Sequence, residues 1–209
     1  MATWIAHMRV AEHFMRGDER LNDARFLAGN IGPDCGVPSE DWSRFTPPKS
    51  VTHWQKGADI DAEDFRRKYL NPDDDRYPFY LGYYFHLLTD IEWLKFPKEK
   101  CAGDWPPKDK EFAWAVKGDW YGQDHLFLRR NPDFVFYHMF AKIKEFDNIY
   151  FDFYPPDAFI RQIQYITNFY LTAGEDPNRE LAYLSKEEMD SFVGRVIDAI
   201  EKIYSVGQE

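Results

Sequence analysis

The chain has 209 residues, of which 44% are hydrophobic, 30% charged and 18% aromatic, and its formal net charge is −10. That length fits one domain spanning 1–209, and the composition excludes an intrinsically disordered chain. The negative charge excludes a general nucleic-acid binder that works by counterion release. No run of about 18 apolar residues occurs, so no membrane span is expected. Cys35 and Cys101 are too few for a disulfide framework or a thiolate zinc site. The start, Met1-Ala2-Thr3-Trp4, lacks the basic and apolar stretches of a signal peptide, and a cytoplasmic location is the expectation.

In chain order, residues 3–16 read as a helix. Trp4, Met8, Ala11 and Met15 share one arc with Thr3, His7, Val10 and Phe14 beside them, while Arg9, Glu12, His13 and Arg16 take the other side. His7 therefore faces inward and His13 faces solvent. A short helix over 23–29 stops at Gly29, and Asn30 to Gly36 forms a sharp Gly/Pro loop. Residues 37–52 hold three prolines and read as an irregular loop ending at Thr52-His53-Trp54. A short helix spans 61–70, and Asn71 to Asp75 breaks it.

The segment 76–95 is apolar or aromatic on nearly every face, which belongs to a buried central helix, with Pro97 ending it. Residues 98–108 read as a Pro-rich loop. A helix over 109–129 is loosened by Gly118 and Gly122. Asn131-Pro132 restarts a helix as N-cap and first residue. Further helices span 156–173, ending at Gly174, and 185–205, opened by a Ser185/Glu188 capping box. No alternating strand pattern exceeds four residues. The expectation is an all-α, single compact domain of about seven helices around a buried central one.

Ionisable groups on that central helix are the sharpest chemical feature. His86 and Asp90 are four apart and share a face, on a helix with no solvent side. A His–Asp hydrogen bond in the core is the plain explanation of the pair alone. His7 on the inward half of the first helix, Asp34 in the Gly/Pro loop and His53 at the end of the long loop change the balance. Together they supply imidazole nitrogen and carboxylate oxygen, the ligand set of zinc or a similar divalent ion. Asp34, His53, His86 and Asp90 carry about two negative charges, which one Zn²⁺ neutralises; a second ion needs further carboxylates. Asp73-Asp74-Asp75 reads as a solvated turn, Cys35 as a buried filler, and Trp54, Tyr83 and Tyr84 as core aromatics rather than a pocket lining.

Four stretches, in order, resemble the zinc-dependent phospholipase C family, whose fold is shared by fungal single-strand nucleases. They are Thr3-Trp4-Ile5-Ala6-His7, Phe26 to Asp34, Val51-Thr52-His53-Trp54, and Tyr80 to Asp90, so the likeness covers roughly residues 1–95. The resemblance implies an all-α fold and one to three zinc ions. It implies that Asp34, His53, His86 and Asp90 surround one ion, with Asp90 bridging to a second helped by His7. It implies phosphoester hydrolysis by a zinc-activated water, in which Asp34 doubles as the water-orienting base. The substrate class would be a small phosphoester or a phospholipid head group.

The chain departs from the family in two places. Secreted members use the free amino group of an N-terminal Trp as a ligand, whereas Trp4 is internal here. The further histidine and the second H-x-x-x-E/D pair are missing, since Lys142 lies four beyond His138. Asp119, Asp124 or His125 are the candidates to complete a second site, with Asp124 and His125 preferred; the plain alternative for that pair is an exposed polar pair. Two other readings stand beside the hydrolase. One is a non-catalytic helical metal-binding or protein-interaction domain. The other is a histidine–aspartate phosphohydrolase, although no His is followed directly by Asp.

Overall fold

A computed structural model gives the structure, which describes residues 1–41, 43–100, 110–172 and 180–206. The expected loop over 98–108 (but for its first three residues), Cys101 and the helix stop at Gly174 lie outside the described residues. Among those described there are nine α-helices and two antiparallel two-stranded ribbons, so the all-α expectation holds. No described helix is long and apolar enough to cross a membrane.

Helix α1 (Trp4–Gly17) begins where the Thr3 hydroxyl accepts from the Ala6 amide. Its inward arc, from Ile5 to Met15, is buried as the spacing predicts. Helix α2 (Ala24–Asn30) follows, capped by Asp23, and a single 3₁₀ turn covers Gly32–Asp34. The region read as an irregular loop is more ordered than expected. It holds the ribbon β1 (Val37–Pro38) with β2 (Phe45–Thr46), then the one-turn helix α3 (Lys49–Thr52). A second ribbon pairs β3 (Gln55–Lys56) with β4 (Asp59–Ile60) through Gly57 at positive φ. Strands of two residues leave no periodic signature, which is why the sequence does not announce them.

Helix α4 (Ala62–Tyr69) leads to the central helix α5 (Tyr77–Lys100). Contrary to expectation, α5 does not stop at Pro97. A proline removes one backbone donor, and the long enclosed helix before it continues three residues past that single lost bond. Helix α6 (Lys110–Arg130) agrees with its predicted span. Asn131-Pro132 does not open a helix. The Asn131 amide group donates to the Phe127 carbonyl, closing α6 instead, and helix α7 (Val135–His138) starts four residues later. Helices α8 (Ala158–Thr172) and α9 (Lys186–Val206) complete the chain, and α9 opens with the expected reciprocal Ser185–Glu188 bonds.

One hydrophobic cluster runs through all the long helices, with α5 at its centre. Helix α2 crosses α5 backbone to backbone at two glycines. A Cβ on Gly82 would lie 2.0 Å from the Phe26 carbonyl oxygen, and one on Gly29 would lie 1.9 Å from that of Phe79. Only glycine permits this approach. Its consequence is local: the end of α2 and the loop after it are held against the turn of α5 that carries His86.

Candidate metal centre

Four elements bring five predicted side chains together. His7 comes from α1, Asp34 from the 3₁₀ turn, His53 from the residue that ends α3, and His86 and Asp90 from α5. His7, His53, His86 and Asp90 are fully buried. Asp34 keeps 11% of its side chain exposed and marks the one edge of the cluster that reaches solvent. The loop carrying Asp34 is pinned from below by Tyr154, whose hydroxyl donates to the Gly32 carbonyl at 2.9 Å. The Tyr83 hydroxyl donates to the Thr52 carbonyl and fixes the turn before His53.

The spacing of the donor atoms is the telling feature. His7 Nε2 lies 3.5 Å from Asp90 Oδ1, and His86 Nε2 lies 3.4 Å from Asp90 Oδ2. His53 Nε2 lies 3.5 Å from Asp34 Oδ1 and 3.6 Å from Asp90 Oδ2. These separations exceed the usual N–H···O range of about 2.7–3.2 Å. They match the edge of roughly 3.4 Å between ligands held about 2.1 Å from one tetrahedral ion. Among the described residues, His7 Nε2, His53 Nε2, His86 Nε2 and Asp90 Oδ2 are buried with no hydrogen-bond partner. An unpaired buried polar atom costs about 1–3 kcal/mol, and a cation held among them relieves several at once. Two overlapping groups have all their donor atoms within 4.8 Å of one another: His7, His86 and Asp90, and Asp34, His53 and His86. The residues therefore fit a divalent ion.

The surrounding groups set the tautomers. His86 Nδ1 lies 2.8 Å from the Asn30 carbonyl. A carbonyl only accepts, so Nδ1 carries the proton and Nε2 presents its lone pair to the cluster. His53 Nδ1 is paired with the Thr52 hydroxyl at 2.9 Å. The Trp4 indole donates to Asp34 Oδ2 at 3.0 Å, and the Ala2 amide donates to Asp90 Oδ1 at 2.9 Å. Trp4 thus meets the cluster through its side chain, an involvement that the sequence pattern does not reveal. Asn30 and Thr52 lie within the quoted stretches, yet their backbone and hydroxyl contacts are not visible from spacing.

Electrostatics favour neutral imidazoles at His7 and His53 and ionised carboxylates at Asp34 and Asp90. Burial, aided by His86, lowers the His7 pKa to about 4. Burial also lowers that of His53. At His86 burial opposes the charge, but the carboxylate of Asp90 outweighs it and the pKa rises. Burial opposes ionisation of Asp34 and Asp90 as well; His53 and Lys49 around the first, and His86 and His7 around the second, hold both below the usual carboxylate range. The result is a buried pocket with two anionic carboxylates, two neutral imidazoles at His7 and His53, and a His86 ring whose Nε2 proton a bound cation would displace.

Asp124 and His125 are not brought into this cluster. They belong to neither group of candidate ligands, and the reason is geometric. Asp124 Oδ1 accepts from the Thr3 hydroxyl at 2.8 Å and Oδ2 from the Tyr170 hydroxyl at 2.5 Å, so both oxygens are engaged elsewhere. The His125 ring packs beside Phe169 and Tyr170. Nor are the two an exposed pair, since both are buried. Asp119 Oδ2 accepts from the Tyr183 amide at 2.6 Å. His13 is exposed as predicted and meets Glu201 at 2.9 Å. Cys35 is a buried filler bonded to the Ile31 carbonyl. Trp54 and Tyr83 pack on Phe65 as core aromatics.

Comparison with family models, with curated proteins and with solved structures finds no match. The reading of the site therefore rests on its own geometry.

Proposed function

We propose that this protein binds zinc in the His7/Asp34/His53/His86/Asp90 cluster and uses it to hydrolyse phosphoester bonds, in the manner of the phospholipase C family that the ordered motifs resemble. The observation that carries the reading is the set of imidazole–carboxylate separations of 3.4–3.6 Å around unpartnered buried lone pairs. The donor set of nitrogen and oxygen without thiolate suits zinc. Asp90 directs Oδ1 toward His7 and Oδ2 toward His53 and His86, an orientation suited to bridging two ions. Bound there, zinc would polarise a phosphoryl oxygen and acidify a water.

The chain's own groups at the solvent edge support the hydrolytic part. Asp34 is the cluster's outermost carboxylate, and Trp4 holds its Oδ2. Its Oδ1 faces His53 Nε2 at 3.5 Å, so in this reading the same oxygen would meet the ion and orient the water beside it. Lys49 Nζ lies 4.0 Å from Asp34 Oδ1, with a third of its side chain exposed, and its ammonium rests 4.6 Å above the Phe45 ring. A cation fixed beside the one open edge suits an anionic phosphoryl group.

A second reading is a metal-binding helical protein without turnover. The complete burial of four of the five side chains favours it, because structural sites are closed and catalytic ones keep an open position. One experiment separates the two. Zinc-loaded protein and Asp34→Asn are assayed on bis(p-nitrophenyl) phosphate, p-nitrophenyl phosphate and p-nitrophenylphosphorylcholine, with zinc content measured alongside. Turnover in the wild type, lost in a variant that still holds zinc, supports the hydrolase. Stoichiometric zinc with no turnover on any ester supports the second reading.

A further inference from the structure

A second site lies on the opposite side of α1. A cavity of about 380 Å³ opens between α1, the end of α6 and the start of α9. Arg9 and His7 are two residues apart on α1, so their side chains leave opposite faces and the helix separates the cavity from the metal centre. In a molecule with net charge −10, this wall is positive: Arg9, Arg130 and Lys186 line it against the single carboxylate of Asp190.

The cations are arranged rather than scattered. Asp190 accepts from Arg9 Nη2 through Oδ1 and from Lys186 Nζ through Oδ2, both at 2.6 Å. One carboxylate thus uses both oxygens to hold two cations side by side. The Arg9 guanidinium lies 4.3 Å over the Phe127 ring, which fixes its plane, and only one of its N–H groups is spent on Asp190. Gln123, which also lines the cavity, is anchored to the Leu184 carbonyl at 2.8 Å. Arg130 lines the same cavity and makes no ion pair or hydrogen bond among the described residues. The wall therefore carries an excess of two positive charges, one planar guanidinium held by an aromatic ring, a second guanidinium with no ion pair or hydrogen bond among the described residues, and an apolar side at Phe127.

We propose that this cavity binds the phosphate dianion of a small organic molecule, with the guanidinium groups of Arg9 and Arg130 on the phosphate and the organic part against Phe127. Guanidinium groups match phosphate oxygens in charge and in paired N–H geometry. A volume of about 380 Å³ is at the lower end for a small-molecule site, enough for a phosphate on one ring. The site needs no metal, so it stands or falls apart from the hydrolase reading.

The test is isothermal titration calorimetry on the full chain after exhaustive chelation, with phenyl phosphate, inorganic phosphate and succinate as probes. The expected result is one equivalent of phenyl phosphate bound, more tightly than inorganic phosphate and much more tightly than succinate. Arg130 is exposed and unpaired among the described residues, so Arg130→Ala folds as the wild type does, and it weakens phenyl phosphate by about tenfold or more. Lys186→Gln weakens it less. Absence of binding, or binding unchanged in Arg130→Ala, overturns the proposal. Equal affinity for succinate overturns the assignment to phosphate.

Discussion

The imidazole of His7 lies flat on that of His86, with ring centroids 3.8 Å apart and planes 2° from parallel. Two cationic rings in that arrangement would repel strongly, and burial holds His7 neutral. Each ring presents Nε2 to a different oxygen of Asp90. The stack therefore offers two lone pairs to one carboxylate, and it brings together α1 and α5, elements nearly eighty residues apart. Without an ion the carboxylates of Asp90 and Asp34 are offset only by the Ala2 and Trp4 N–H donors, by Lys49 and by the raised pKa of His86.

The ion should thus be part of the stability of the fold. An ion present at about a thousand times its dissociation constant adds roughly 4 kcal/mol. For a chain of this size that is roughly 8–16 °C of melting temperature. Plasma mass spectrometry of the purified protein should find at least one equivalent of zinc or a similar metal. Chelation should lower the melting temperature within that range. His86→Ala should hold less than one equivalent and show little change on chelation. Full occupancy in His86→Ala would remove that residue from the ligand set.

The groups behind the ligands should tune affinity without touching the ion. Thr52→Val keeps shape and burial but removes the hydroxyl that meets His53 Nδ1 at 2.9 Å. Trp4→Phe removes the indole donor to Asp34 Oδ2. Loss of such outer partners typically costs 10–100-fold in metal affinity. Competition with a chromogenic chelator should show each variant weaker by about tenfold or more, with Thr52→Ser close to wild type. An unchanged dissociation constant in Thr52→Val would mean that Thr52 only packs.

The crossing of α2 over α5 makes a separate prediction. Gly82→Ala places a Cβ 2.0 Å from the Phe26 carbonyl, a backbone atom that no rotamer change can move. The two helices must separate, at a cost of about 3 kcal/mol or more. The Asn30 carbonyl moves with α2, so the proton on His86 Nδ1 loses its acceptor. Urea denaturation should show the loss of stability, and metal affinity should fall with it. Gly194, with nothing near its Cβ position, should accept alanine without that penalty.

Much of this arrangement was legible in the sequence, for definable reasons. Helical periodicity placed His7 on the buried side of α1 and His13 in solvent, because a single residue step rotates a side chain by about 100°. The stripe-free segment 76–95 had to be central, and burial made its His86–Asp90 pair conspicuous. Local pattern failed where a partner comes from far away. Asp124 and His125 stand on the expected helix, but Thr3 and Tyr170 claim Asp124 from elements 121 and 46 residues distant. Asn131 looked like an N-cap, yet its side chain turns back to the helix before it. The Trp4–Asp34 bond and the Lys49–Asp34 approach depend on tertiary placement alone, and neither residue type signals it.

Asp124 gives the last prediction, in pH. Burial raises its pKa from 3.8 to about 7, against the hydroxyls of Tyr170 and Thr3 and the more distant Arg9, which all favour the ionised form. In the unfolded chain it titrates near its ordinary value. Between about pH 4 and 7 the folded state therefore holds a proton that the unfolded state has released. Stability contributed by this group is complete below the unfolded pKa and is lost as pH rises toward 7, by up to about 1.4 kcal/mol per pH unit. Asp124→Asn keeps the shape, accepts from one hydroxyl, donates to the other, and cannot ionise. Urea denaturation of chelated wild type and variant, at pH 5, 6, 7 and 8, isolates the effect, because the histidines are common to both. The difference should move in favour of the variant from pH 5 to 7 and then level off. Parallel stability profiles would show that Asp124 is ionised throughout, with its charge carried by Tyr170 and Thr3.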